Sequence, residues 1–135
     1  MNQQPDRNIS PAITDAAPGD QGRLLVVDDE ESLRITTAAI LEQDGYEVDT
    51  AATGDEAISL LTQTHYDLVL TDLHMEGGDG LSVLAQIRNK APLTISVVLT
   101  GFASVESAIA ALQEGAYDYL TKPCDIDHMR HTIKR

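Results

Sequence analysis

Four places in this chain put chemically capable side chains at the ends of short apolar runs. RLLVV is followed by Asp28, Asp29 and Glu30; the run ending at Thr71 is followed by Asp72; TISVVLT ends in Thr100; YDYLT is followed by Lys122 and Pro123. If these runs are neighbouring strands, Asp28, Asp29 and Asp72 form a like-charge cluster that is costly unless something neutralises it. A hard divalent cation such as Mg2+ does so, because it takes oxygen ligands and needs few protein groups beside its waters. Lys122 can pair with a carboxylate and then with a phosphoryl oxygen, while Thr100 offers a hydroxyl donor at the same level. Together these groups make a site for an anionic group held over a metal, the electrostatic arrangement that phosphoryl transfer requires. Taken singly, each has a plainer reading. Lys122 alone is a solvated loop residue and Thr100 a hydroxyl at the edge of the core. Helix capping explains one or two of the acids after RLLVV, but not Asp72, which precedes a glycine-rich loop.

The chemistry therefore depends on the elements that carry these residues. RLLVV has the composition of a strand buried on both faces. Over residues 31–44, Leu33, Thr37, Ile40 and Leu41 recur at helical spacing, with acids at the favourable end and Gly45 as the stop. The unit repeats, with strands over 46–51, 66–71, 94–100 and 117–121. Helices are expected over 55–62, 81–90 and 104–114, the last capped by Ser104 and stopped by Gly115. A final helix starts at Asp125, with Ile126, Met129 and Ile133 on one face. Five strand-helix units with short loops predict an α/β fold: a doubly wound five-stranded parallel sheet with helices on both faces. Its common strand order is 2-1-3-4-5, flavodoxin-like, and ligands bind where the winding reverses, beyond the carboxyl ends of the strands. All four chemical positions fall on that edge.

Composition sets the outer bounds. The 135 residues, 42% of them hydrophobic but only 4% aromatic, suit one domain with an aliphatic core. Against 9 Lys and Arg stand 22 Asp and Glu, a net charge of -13, which repels nucleic acid and an anionic membrane surface alike. One Cys, no leader-like N-terminus and no apolar run of about 20 residues point to a reducing, cytoplasmic setting. Residues 1–22 hold three Pro and two Gly without apolar periodicity and read as a flexible tail; an arm docked through Ile9 and Ile13 is the alternative. The domain proper is expected over 23–135. The last helix meets no stop before Arg135, so a longer protein is expected.

With these residues placed, the chain resembles the receiver domain of bacterial two-component response regulators from about Arg23 to Arg135. LLVVDDEES, VLTDLHMEGGDG, VLTG and YDYLTKP occur in the order, and on the elements, that the family uses. The resemblance implies that Asp72 is the phosphoacceptor and that Asp29, Asp72 and the His74 carbonyl ligate Mg2+, with Asp28 acting through metal-bound water. It implies that Lys122 contacts the phosphoryl group, that the Lys122–Pro123 peptide is cis, and that Thr100 and Tyr119 switch the face formed by the fourth helix, fifth strand and fifth helix. The implied partners are a sensor histidine kinase or phosphotransfer protein, an output domain or downstream protein, and a second copy on activation. By the same resemblance the positions flanking the crevice are His74 and Phe102, both bulky and expected to slow hydrolysis by shielding the acyl phosphate from water. Glu76 departs from the family, which usually has Pro there.

Two other functions compete. A Mg2+-dependent phosphohydrolase can use an Asp nucleophile on a similar sheet, but it usually carries a second Asp two residues on, where this chain has His74. A receiver that binds partners without phosphorylation is the other, and the full set of site residues argues against it. Cys124 reads as a small buried residue, and His65, His128 and His131 as surface residues.

Overall fold

The computed structural model describes residues 22–75, 80–101, 104–123 and 125–134; the expected tail up to residue 21, Glu76, Phe102 and Cys124 lie outside them. In chain order the elements are β1 (Arg23–Val27), α1 (Glu31–Gln43), β2 (Glu47–Ala51), α2 (Gly54–Gln63), β3 (Leu68–Thr71), α3 (Gly80–Lys90), β4 (Ile95–Thr100), α4 (Val105–Gln113), β5 (Asp118–Thr121) and α5 (Ile126–Lys134). The five strands form one sheet in the order β2-β1-β3-β4-β5 with every pairing parallel. This is the predicted doubly wound topology, and its winding reverses between β1 and β3.

Alternation along the strands divides the core. Leu24, Val26, Leu68, Leu70, Val97 and Leu99 point to one face and pack with Leu41 of α1 and Met129 and Ile133 of α5. Leu25, Val27 and Val69 point to the other, against Ala57 of α2 and Val83 and Ile87 of α3. Val98 continues that second layer with Leu84 of α3 and Ala111 of α4. A period of two in strands covered on both sides is why RLLVV is apolar without interruption. Edge strand β2 carries the mixed sequence EVDTA and is only partly covered.

The boundaries differ from the sequence expectation in instructive places. Tyr66 precedes β3 instead of opening it: its ring is fully buried and its hydroxyl donates to Asp49 Oδ2 at 2.6 Å. Burial, reinforced by that hydrogen bond and by the Asp49 charge, pushes the Tyr66 phenol up to about 12. The α2 helix starts at Gly54, because the Thr53 side chain caps it by accepting from the Glu56 amide. Ile126 lies on the same side of α5 as Met129, lining one cleft with it, but is not buried. It is 47% exposed while Thr132 is 1% exposed, since the first turn of α5 stands at the rim and the helix turns its Met129–Thr132–Ile133 side inward. Gly45 and Gly115 do end α1 and α4 with positive φ, a conformation that other residues adopt only at a cost.

Candidate functional site

The strand registers place the chemistry. Val27 pairs with Thr71, so Asp28 and Asp72 are next residues on neighbouring strands, and the Asp72 amide donates to the Val27 carbonyl at 3.0 Å. Thr100 pairs with Thr121, which brings Lys122 to the same edge. The result is a crevice of about 470 Å3 whose walls include Asp28, Asp29, Asp72, His74 and Lys122. One oxygen from each of Asp28, Asp29 and Asp72 can be chosen so that all lie within 4.8 Å of one another. Asp28 and Asp72 are buried, whereas Asp29 stands in solvent.

Lys122 closes the arrangement. Its Nζ donates to Asp28 Oδ2 and Asp72 Oδ2, both at 2.8 Å, and only 18% of its side chain is exposed. Burial alone would lower the Lys122 pKa, but hydrogen bonds and charge from the two carboxylates outweigh it and hold the ammonium above its ordinary value. The same contest runs at Asp72. Burial pushes its carboxyl up, while hydrogen bonds from Lys122, the His74 amide and the Thr100 hydroxyl, with the Lys122 charge, pull it net below the usual range. Asp72 is therefore an ionised, pre-oriented carboxylate.

An all-oxygen set of hard donors fits Mg2+ better than a softer ion. Asp28 has every polar group engaged. Its amide donates to the Ala51 carbonyl, its Oδ1 accepts from the Glu30 amide, its Oδ2 accepts from Lys122, and its carbonyl accepts from Arg34 Nη1 at 2.9 Å.

The other predicted residues fall around this centre. Thr100 is fully buried at the end of β4. The His74 side chain is exposed, and its amide donates to Asp72 Oδ1 at 3.1 Å. The Lys122–Pro123 peptide is cis. Tyr119 packs on the Leu73–Leu84–Val98 cluster, and its hydroxyl lies 2.6 Å from Ser107 Oγ. Ser107 also completes the capping box with Ser104, so Tyr119 is tied to the start of α4, a link with no sequence signal. His65, His128 and His131 are exposed.

Gly80 supports the acceptor from behind. Its amide donates to the Leu73 carbonyl at 3.0 Å, and a Cβ at this position would sit 2.1 Å from the Asp72 carbonyl oxygen. Backbone cannot move aside as a side chain does, so Gly80→Ala should cost about 3 kcal/mol, the upper end for overpacking. Urea unfolding would measure it; a loss below about 0.5 kcal/mol, the scale of an innocuous surface change, would show that Gly80 does not brace Asp72.

Comparison with known proteins agrees with this fold. The family model described as "Response regulator receiver domain" matches residues 24–134. The chain is 44% identical over 110 residues to the alginate biosynthesis transcriptional regulatory protein AlgB of Pseudomonas aeruginosa, covering 82% of this chain and 24% of that one. It thus spans about a quarter of the length of such curated relatives. A CheY-like receiver domain from Methanospirillum hungatei superposes with a TM-score of 0.81 at 32% identity, over 83% of this chain and 90% of that one. The beryllofluoride-activated NtrC4 receiver domain dimer gives a TM-score of 0.78 at 39% identity, over 83% and 93% of the two chains.

Proposed function

Because the chain belongs to the response regulator receiver domain family, we propose that Asp72 accepts a phosphoryl group from a phosphohistidine on a sensor kinase or phosphotransfer protein. The observation that carries this is the Asp72 carboxylate itself: buried, ionised and held 2.8 Å from the Lys122 ammonium, with two further carboxylates alongside. A carboxylate oxygen of Asp72 attacks phosphorus. The new O–P bond forms as the histidine N–P bond breaks, and that bond's electron pair stays on the imidazole nitrogen. Lys122 is already positioned to follow the charge from the carboxylate to a phosphoryl oxygen, and Thr100 can do the same with its hydroxyl. Asp29, Asp72 and the His74 carbonyl would hold Mg2+, with Asp28 one water removed. Bound there, the ion supplies charge neutralisation for the phosphoryl oxygens. In this reading the domain assists only its own phosphorylation and dephosphorylation and turns over no separate substrate.

The signal leaves through α4, β5 and α5. When Thr100 turns toward a phosphorylated Asp72, the space beside it opens to Tyr119, whose ring lies over the Val98 cluster. Tyr119 moving inward gives up Ser107, and the start of α4 is released with it. The α4 surface already presents Val105, Ile109 and Leu112 to solvent, a face suited to a second copy or to an output domain. Names such as AlgB's suggest that output is transcriptional. Among the described residues no helix is long and apolar enough to cross a membrane.

The test is labelling with a small phosphodonor such as acetyl phosphate in the presence of Mg2+. Intact mass should show one added phosphoryl group on the wild type and none on Asp72→Asn. Equal labelling of both would remove Asp72 from the role. The hydrolase reading predicts continuous release of phosphate from an added phosphate ester such as p-nitrophenyl phosphate, which the receiver reading does not.

A further inference from the structure

We infer that Arg34, whose guanidinium donates to the Asp28 carbonyl, is a positioning residue that sets the crevice's affinity for Mg2+. This rests on the reading of the acid cluster as a Mg2+ site. The inference starts from an irregularity. The first helix is opened by Glu30, whose side chain makes no capping hydrogen bond, although an N-cap side chain normally satisfies one of the free amides there. The turn between β1 and α1 is held in another way. Asp28 Oδ1 takes the Glu30 amide at 2.9 Å, and Arg34 reaches back from α1 to donate Nη1 to the Asp28 carbonyl at 2.9 Å. Arg34 is itself fixed to the turn by its own amide, which donates to the Glu30 carbonyl at 2.9 Å.

The Asp28 carbonyl and the Asp29 amide belong to one planar peptide unit. A donor that holds this carbonyl fixes the rotation of the plane, and with it the direction in which the Asp29 side chain leaves the backbone. Asp28 has independent anchors in β2 and Lys122, through its amide and its Oδ2. Asp29 is the exposed member of the cluster, and the peptide plane that Arg34 holds is where its side chain starts. Without Arg34 the carbonyl can turn to water, and Asp29 must be ordered anew each time a cation binds. Partners one step removed from a metal's ligands typically contribute about 10–100-fold in affinity.

The test is Mg2+ binding by isothermal titration calorimetry for wild type, Arg34→Met and Arg34→Lys, with thermal melts in EDTA. Arg34→Met should bind Mg2+ about tenfold more weakly, and Arg34→Lys should recover most of that loss because an ammonium can still reach the carbonyl. Phosphorylation of Arg34→Met by acetyl phosphate should be slow at low Mg2+ and return to the wild-type rate at saturating Mg2+. Wild-type Mg2+ affinity in both variants would overturn the inference. So would a rate that saturating Mg2+ fails to restore, because Arg34 would then act on the acceptor or on the fold. If Arg34→Met does not fold, a folded Arg34→Gln takes its place: Mg2+ binding weaker than in Arg34→Lys is the expected result, and wild-type affinity in Arg34→Gln overturns the inference. Absence of Mg2+ binding by the wild type would overturn the Mg2+ reading itself, and the inference with it.

Discussion

Lys122→Met should destabilise the protein by about 3 kcal/mol at neutral pH, the low end for removing one partner of a buried ion pair, and should slow phosphorylation by about a hundredfold, as loss of a single transition-state donor does. The ammonium is shared by two carboxylates whose side chains are only 7% and 4% exposed, so its removal leaves two buried charges without their common partner. The pH dependence follows from the directions of the shifts. Asp72 sits below its ordinary value of 3.8, so its contribution to wild-type stability is present above that pH and is lost as pH falls through the folded-state value. Lys122 sits above 10.5, so its contribution is present below that pH and is lost as pH rises through its folded-state value. The pair therefore contributes fully across the neutral range. In Lys122→Met, burial is left unopposed by the ammonium and raises the Asp72 carboxyl, so the variant loses stability as pH rises from about 4 to 7. Denaturant unfolding at both ends of that range should show the gap between the two proteins widening with pH. A gap of equal size at both would mean that the loss is one of packing.

Magnesium should raise the melting temperature of the wild type, because an ion that binds only the folded state stabilises it by mass action, about 2.7 kcal/mol at a hundredfold excess over Kd. Asp29→Asn should abolish that response. It should also melt higher than wild type in EDTA, since it removes one charge from a cluster whose carboxylate oxygens can all come within 4.8 Å of one another. Relative to wild type, the substitution therefore raises the melting temperature in EDTA and lowers its gain in Mg2+, which separates loss of a ligand from general damage to the fold. Equal Mg2+ shifts in wild type and variant would show that Asp29 is not among the ligands.

The parts of this molecule that were legible in its sequence are those governed by local periodicity. Asp28, Asp72, Thr100 and Lys122 could be brought together on paper because each follows or ends a short apolar run, and parallel strands deliver their carboxyl ends to one edge. Ser104 and Gly115 mark the limits of α4 through backbone rules that act within a few residues. What escaped depends on side chains meeting across large sequence separations. Tyr66 looked like the first residue of β3, but its hydroxyl is bound to Asp49 of β2. Tyr119 was marked as a switch residue, yet its partner Ser107 could not be named, because a serine in a helix's first turn reads simply as a capping residue. Ile126 matched the helical spacing of Met129 and Ile133, but an amphipathic pattern does not say where a helix first meets the core. Gly80 looked like a loop glycine, and only the approach of its Cα to the Asp72 carbonyl shows why a side chain is excluded there.

The central claim is that the phosphoryl group resides on Asp72 as an acyl phosphate, and borohydride reduction tests it most directly. An aspartyl phosphate is reduced to homoserine, whereas free carboxylates and phosphoesters are left unchanged. The wild-type protein, phosphorylated by acetyl phosphate with Mg2+, reduced, digested and sequenced by tandem mass spectrometry, should carry homoserine at position 72 and nowhere else. Samples treated without phosphodonor should carry none. Homoserine at position 28 or 29, or a phosphorylated protein that yields no homoserine at all, would contradict the account.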